Sequence, residues 1–143
     1  MKLAEKVGRR MRRHGARGNV VHYFDSDFHK QRKLPDYISG GREIYRAAWG
    51  IYKANLRQAQ AITLVGEPVE PPNIKIMGIT FSGLTFSNPP EPLFPHFKKP
   101  FVATAAMDRV NDKYGDFTIY PGRLLGVSEE WGKDTVGFGR MRS

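Results

Sequence analysis

From Lys2 to His14 the apolar residues Leu3, Val7 and Met11 recur at i, i+4 and i+8, which predicts a helix with one narrow apolar stripe and a natural stop at Gly15. Lys6, Arg9, Arg10, Arg12 and Arg13 fill its other positions, so this helix is expected to show cations to solvent or phosphate. In the next stretch, Asn19 to Leu34 (NVVHYFDSDFHKQRKL), Val20, Val21, Tyr23, Phe24 and Phe28 favour extended backbone and Asp25-Ser26-Asp27 is a turn signal. Two short strands joined as a hairpin follow from that pattern, with Leu34-Pro35 breaking the second strand. Ser39-Gly40-Gly41 offers helix-start chemistry, and from Arg42 to about Gln60 the residues Ile44, Ala47, Ala48, Ile51, Tyr52 and Leu56 share one side of a long amphipathic helix. Tyr45 and Trp49 flank that stripe and are expected to cover a sheet rather than stack on bases.

Residues 66–73 hold three prolines in eight positions, which forbids a helix interior or a central strand there. Beyond them Ile74 to Phe86, IKIMGITFSGLTF, alternates as a strand. Lys75, Met77, Ile79 and Phe81 point one way; Ile76, Gly78, Thr80, Ser82 and Leu84 point the other. Gly78 leaves a gap in its row, consistent with close approach of another backbone or a helix. The order helix, strand, strand, helix, strand predicts an α+β fold: a small, mainly antiparallel sheet with two helices on one face and the other face exposed. Residues 1–86 form this domain. Residues 87–100, with five prolines in fourteen positions, read as an extended linker, and residues 101–143 as a helix-strand tail in which Asp134 to Arg140 is expected to add an edge strand or to pack back on the sheet.

Charge sharpens the picture more than composition does. At 143 residues and 40% hydrophobic content the chain has material for one core. There are no cysteines, so disulfides and thiolate metal sites are excluded and a reducing, cytoplasmic setting is expected. No apolar run approaches the roughly 20 residues of a membrane span, and the basic N-terminus leads into no apolar signal region. The net charge of +9 is unevenly placed: residues 1–60 hold 14 Lys and Arg against 5 Asp and Glu, whereas residues 61–143 hold 9 of each. One half therefore faces a polyanion. Within it His29, Lys30, Arg32 and Lys33 fall in five positions of the second strand, whose solvated face is expected to carry these cations along a phosphate backbone, as one cationic side of the sheet.

Catalytic constellations are absent from the pattern. Asp25 and Asp27 belong to a turn, and Glu129-Glu130 sit beside Trp131 in a loop. Asp108 and Asp112 alternate with Arg109 and Lys113 as ordinary helix-surface pairs. His14, His22, His29 and His96 show no ligand spacing, so no metal site is expected. Neither a glycine-rich phosphate loop nor a nucleophile elbow nor a dinucleotide fingerprint occurs.

The residues themselves carry a resemblance. An Arg-rich helix running into HGARGNVV, the hairpin SDFHKQRKL, the helix opening GREIYRAA and the strand IMGITFSGL make the chain from Lys2 to Phe86 resemble the little-finger domain of Y-family, translesion DNA polymerases. Phe101 to Pro121, containing AMDRVNDKYG, is similar to the tail that follows the little finger in some members. The resemblance implies a mobile module that follows the palm, fingers and thumb and holds primer-template duplex through backbone phosphates, in lesion bypass and repair of damaged DNA. By residue it implies DNA contacts at Lys30, Arg32 and Lys33, at Ser26 and His29 beside the turn, and at Lys75 entering the third strand. Family members often carry further basic residues in the third strand, where this chain has Ile76 and Thr80. Family catalysis uses palm carboxylates that hold two metal ions, and no segment here resembles them. No cofactor is therefore expected in this chain, magnesium belonging to a palm that would lie elsewhere in the gene product or on a separate catalytic chain. The family also often places a clamp-docking peptide near Glu91-Pro92-Leu93-Phe94, so Leu93, Phe94 and Phe97 are candidate sliding-clamp contacts, although the usual glutamine is missing. Two other classes fit the composition: a small basic RNA-binding or ribosome-associated protein, and a protein-interaction adaptor working through its prolines and Leu93-Phe94.

Overall fold

The computed structural model describes residues 1–62, 74–87 and 94–125, in two units, Met1–Glu91 and Pro92–Ser143. In the first unit the elements run α1 (Lys2–Arg13), β1 (Arg17–Asp25), β2 (His29–Ile38), α2 (Gly41–Ile62) and β3 (Met77–Thr85). The strands form an antiparallel sheet in the order β2-β1-β3. The fold is α+β, with both helices on one face of the sheet.

Helix α1 stops because Gly15 takes a φ of 62°, which only glycine adopts without strain. The N–H of Ala16 then reaches back to the Met11 carbonyl at 2.8 Å and the N–H of Gly15 to the Arg12 carbonyl at 3.0 Å. These two bonds satisfy carbonyls that the helix end would otherwise leave open, and they bring Ala16 onto Met11 in the core. The core itself has two clusters. Ala4, Met11, Ala16 and Ile44 join α1 to the start of α2, and Val21, Tyr23, Ala48 and Ile51 join α2 to the central strand. Ile79 and Phe81 of β3 touch both.

Several sequence expectations change here for identifiable reasons. Strand β2 does not break at Leu34-Pro35 but continues to Ile38, with a register irregularity opposite Gly18 to Val20. Pro35 is tolerated because β2 is an edge strand, where a missing N–H need not cost a ladder bond. Arg9 is buried, and Arg12 is largely covered: it donates to the Ser39 carbonyl at 2.8 Å and to Glu5 Oε1 at 3.2 Å. Arg12 thereby ties α1 to the segment that opens α2, and neither arginine takes the solvent-facing position expected of it. Trp49 is 41% exposed and stacks between Tyr45 and Tyr52, at 6.2 and 5.2 Å, rather than covering the sheet. The gap at Gly78 is filled by neither backbone nor helix. A Cβ there would lie 2.0 Å from Phe24 Cζ, so it is the ring of the neighbouring strand that occupies it.

Tyr45, Trp49 and Tyr52 line an apolar cavity of about 360 Å³ together with Tyr23, Met77 and Ile79. Burial pushes the Tyr23 phenol above its ordinary value of 10.0, and the charge and hydrogen bond of the Asp25 carboxylate add to the effect. A phenol held protonated in the folded state contributes stability that is intact below the unfolded value and lost as pH climbs through the folded one. Tyr23→Phe should therefore flatten the alkaline loss of stability, measured as the urea midpoint from about pH 9 to about pH 11. Equal slopes in the two proteins would show that another group is responsible.

In the second unit α3 spans Pro95–Tyr114 and a 3-10 turn spans Gly122–Leu124. The expected linker thus ends early, since Pro95 sits at the helix start, where its fixed φ suits the first turn, and Pro100 lies inside the helix. Among the described residues of the tail there is no strand. Its place is taken by a turn that folds back on α3, where buried Asn111 accepts from the Ile119 N–H at 2.9 Å and donates to the Ile119 carbonyl at 2.8 Å. That reciprocal pairing substitutes one side chain for a strand partner. The segment Asp134 to Arg140 lies outside the described residues.

Candidate nucleic-acid interface

Strand β2 forms one edge of the sheet, and its register on β1 decides which side each cation takes. Directly opposed residues of an antiparallel pair share a face. Lys30 is opposite Tyr23 and Arg32 opposite Val21, both buried under the helices, so these two cations stand on the helix side of the edge. Arg32 runs beside α2: a Cβ added to Gly50 would lie 3.2 Å from its Nη1. Lys33 is opposite Val20 and His29 opposite Phe24, on the open face. The expectation of cations on a single solvated face is corrected by this alternation. The strand is instead an exposed ridge with cations on both flanks.

At the turn end the fold joins residues that are remote in sequence. Asp25 Oδ1 accepts the N–H groups of Asp27 and Phe28, each at 3.0 Å, and the Asp25 N–H donates to the Phe28 carbonyl. This closes the hairpin. Ser26 Oγ then accepts the N–H of Lys75 at 3.0 Å and of Ile76 at 3.1 Å, which fastens the lead into β3 to the tip of the hairpin. Ser26, His29, Lys30 and Lys75 are thereby gathered at one end of the sheet, with Ser26 acting as a staple within the chain. Ser26→Ala should lower stability by about 1 kcal/mol, because water replaces part of what is lost at this exposed site. Faster amide exchange at Lys75 and Ile76 is the specific sign, and unchanged protection there would remove the staple from the account.

Two residues of the open face were not singled out by sequence. His22 Nε2 lies 2.7 Å from Ser82 Oγ, and the His22 and His29 rings stack at 5.9 Å with 8° between their planes. Because His22 and His29 lie on different strands, it is the β1–β2 register that puts them on one face and the β1–β3 register that brings Ser82, paired with Val20, beside His22. Among the described residues no group of three or more His, Cys, Asp or Glu is placed to hold a metal ion. Of the candidate clamp contacts, Leu93 lies outside the described residues, Phe94 is 59% exposed immediately before α3, and Phe97 falls within α3. No helix among the described residues is long and apolar enough to cross a membrane.

Among the described residues a three-stranded antiparallel sheet, backed by two helices and edged by a basic strand, defines a small α+β domain of the kind the motifs pointed to. Residues 1–92 match the family model of the impB/mucB/samB family C-terminal domain. The chain belongs to this family, and its first unit is the C-terminal, little-finger domain of Y-family polymerases. No match is found among curated proteins or among solved structures.

Proposed function

We propose that this chain holds primer-template duplex through backbone phosphates, as the DNA-gripping part of a translesion polymerase acting in lesion bypass. Catalysis belongs to a palm domain in the same gene product or on a separate chain. The observation that carries the proposal is the edge strand with cations on both flanks, Lys30 and Arg32 on one and Lys33 and His29 on the other. A ridge of this form suits a groove bounded by phosphates on either side, and arms reaching out from both faces of a strand span a width on the order of the major groove, about 12 Å. Family membership supports the same partner. Phosphate contacts of this kind position the protein without reading sequence.

The test is the salt dependence of duplex binding. Lys30→Ala/Arg32→Ala/Lys33→Ala should weaken binding and reduce the slope of log K against log salt by about two to three, at roughly 0.9 per phosphate contact. Lys33→Ala alone should remove about one, and Lys30→Ala/Arg32→Ala about two, if both flanks engage. A slope unchanged by the triple substitution refutes the assignment of the hairpin. Structured RNA that displaces the duplex in direct competition would reassign the ridge to a different polyanion.

A further inference from the structure

Resting on that function, we infer that His22, His29, Ser82 and Lys33 form a phosphodiester-binding subsite on the open face of the sheet, switched on by proton uptake. All four side chains belong to the same face: His22 is paired with Gln31, His29 with Phe24, Lys33 with Val20 and Ser82 with Val20 across the other ladder. Within the regular stretch His29–Lys33, Lys33 is the remaining charged side chain on this face of β2. The other neighbours on the face are uncharged, namely Val20 and Phe24 on β1, Gln31 on β2, and Gly78 and Thr80 on β3. Of the turn carboxylates, Asp25 is engaged with the turn N–H groups and with Tyr23 on the helix side, and Asp27 lies in the exposed turn beyond His29.

The His22–Ser82 hydrogen bond supplies the switch. With His22 neutral and Nε2 accepting, the Ser82 hydroxyl spends its only proton inward. When Nε2 takes a proton from solvent it becomes the donor, Ser82 Oγ becomes the acceptor, and the serine O–H is released to point at an anion. In that tautomer one proton adds a charge and turns a donor outward, and in the other it adds the charge alone. His29, stacked on the same ring, adds a second imidazolium, and Lys33 stands further along the same face. Two imidazoliums stacked this closely repel one another, so an anion that sits against them favours their protonation, and by linkage protonation favours the anion. Histidine is the side chain whose ordinary titration falls in the range where such coupling is felt.

The experiment is duplex binding by the full chain at about pH 7.5 and about pH 5.5, with the salt slope taken at each. The slope should steepen by about one to two at the lower pH, at roughly 0.9 per added phosphate contact. H22Q/H29Q should lose that steepening, Ser82→Ala should lose part of it, and His14→Gln, remote from the face, should keep it all. Calorimetry near pH 6.5 in buffers of different ionisation enthalpy should show net proton uptake on binding by the wild type and none by H22Q/H29Q. Duplex binding with an identical slope at both pH values, or steepening that survives H22Q/H29Q, overturns this inference and leaves the phosphate grip standing. Absence of salt-dependent duplex binding at either pH overturns both.

Discussion

Ile44→Ala should lower the unfolding free energy by about 3 to 4 kcal/mol, in the upper part of the range for truncating a buried isoleucine. Ile44 is 0% exposed and packs with Ala4, Met11 and Ala16, bordered by Val7, Ile38, Tyr45, Ile79 and Phe81. Those neighbours come from α1, from the loop that follows it, from the edge strand β2, from α2 itself and from β3. A cavity walled by so many elements cannot collapse by moving one of them, so the lost transfer energy is joined by the cost of the void. A domain of this size has about 5 to 15 kcal/mol in hand, so the variant should remain folded but unfold at much lower urea. Equilibrium unfolding checks it, as a lower midpoint at unchanged m. A loss below about 1 kcal/mol would mean that α1 and α2 are not joined through this residue.

Gly8→Ala should destabilise by about 2 kcal/mol although it places a better helix former in the middle of α1. Propensity alone argues for a gain of about 1 kcal/mol. The contact decides otherwise, since a Cβ at Gly8 would lie 2.7 Å from the Ser39 carbonyl oxygen and 3.0 Å from the Gly41 N. Both are backbone atoms at the start of α2, where Arg12 also donates to the Ser39 carbonyl, and backbone cannot swing aside as a side chain does. Gly50→Ala is the matched control. There the added Cβ meets only Arg32 Nη1, at 3.2 Å, the tip of a flexible arm, so the same change should stabilise by about 0.5 to 1 kcal/mol. Thermal unfolding of the pair checks both signs, and stabilisation by Gly8→Ala would show that the helices do not approach through that glycine.

For the first unit the order of elements was legible along the chain, because each helix and strand carries its own period. Leu3, Val7 and Met11 mark the inner side of α1, and Ile44, Ala48 and Ile51 that of α2; Met11, Ile44, Ala48 and Ile51 are buried. In the third strand Ile79 and Phe81 pack beneath the helices while Thr80 and Ser82 do not, as alternation required. Boundaries were less legible. Pro35 reads as a stop because its missing N–H is a local fact, whereas its harmlessness depends on where β2 sits in the sheet. Likewise the prolines at 95 and 100 read as linker, and α3 nevertheless begins at the first of them.

The candidate site divides along the same line. Chain chemistry alone determined that the first 60 residues carry the whole charge excess, that a hairpin holds its densest part, and that the motifs are those of a little-finger domain. Charge, turn propensity and hydrophobic period are properties of neighbours in sequence, so they can be read without the fold. Only the tertiary structure decided that Lys30 and Arg32 stand on one flank and Lys33 on the other, that Ser26 fastens Lys75, and that His22 meets Ser82. These are pairings across strands, set by register and by loop closures spanning tens of residues, and no local pattern encodes them.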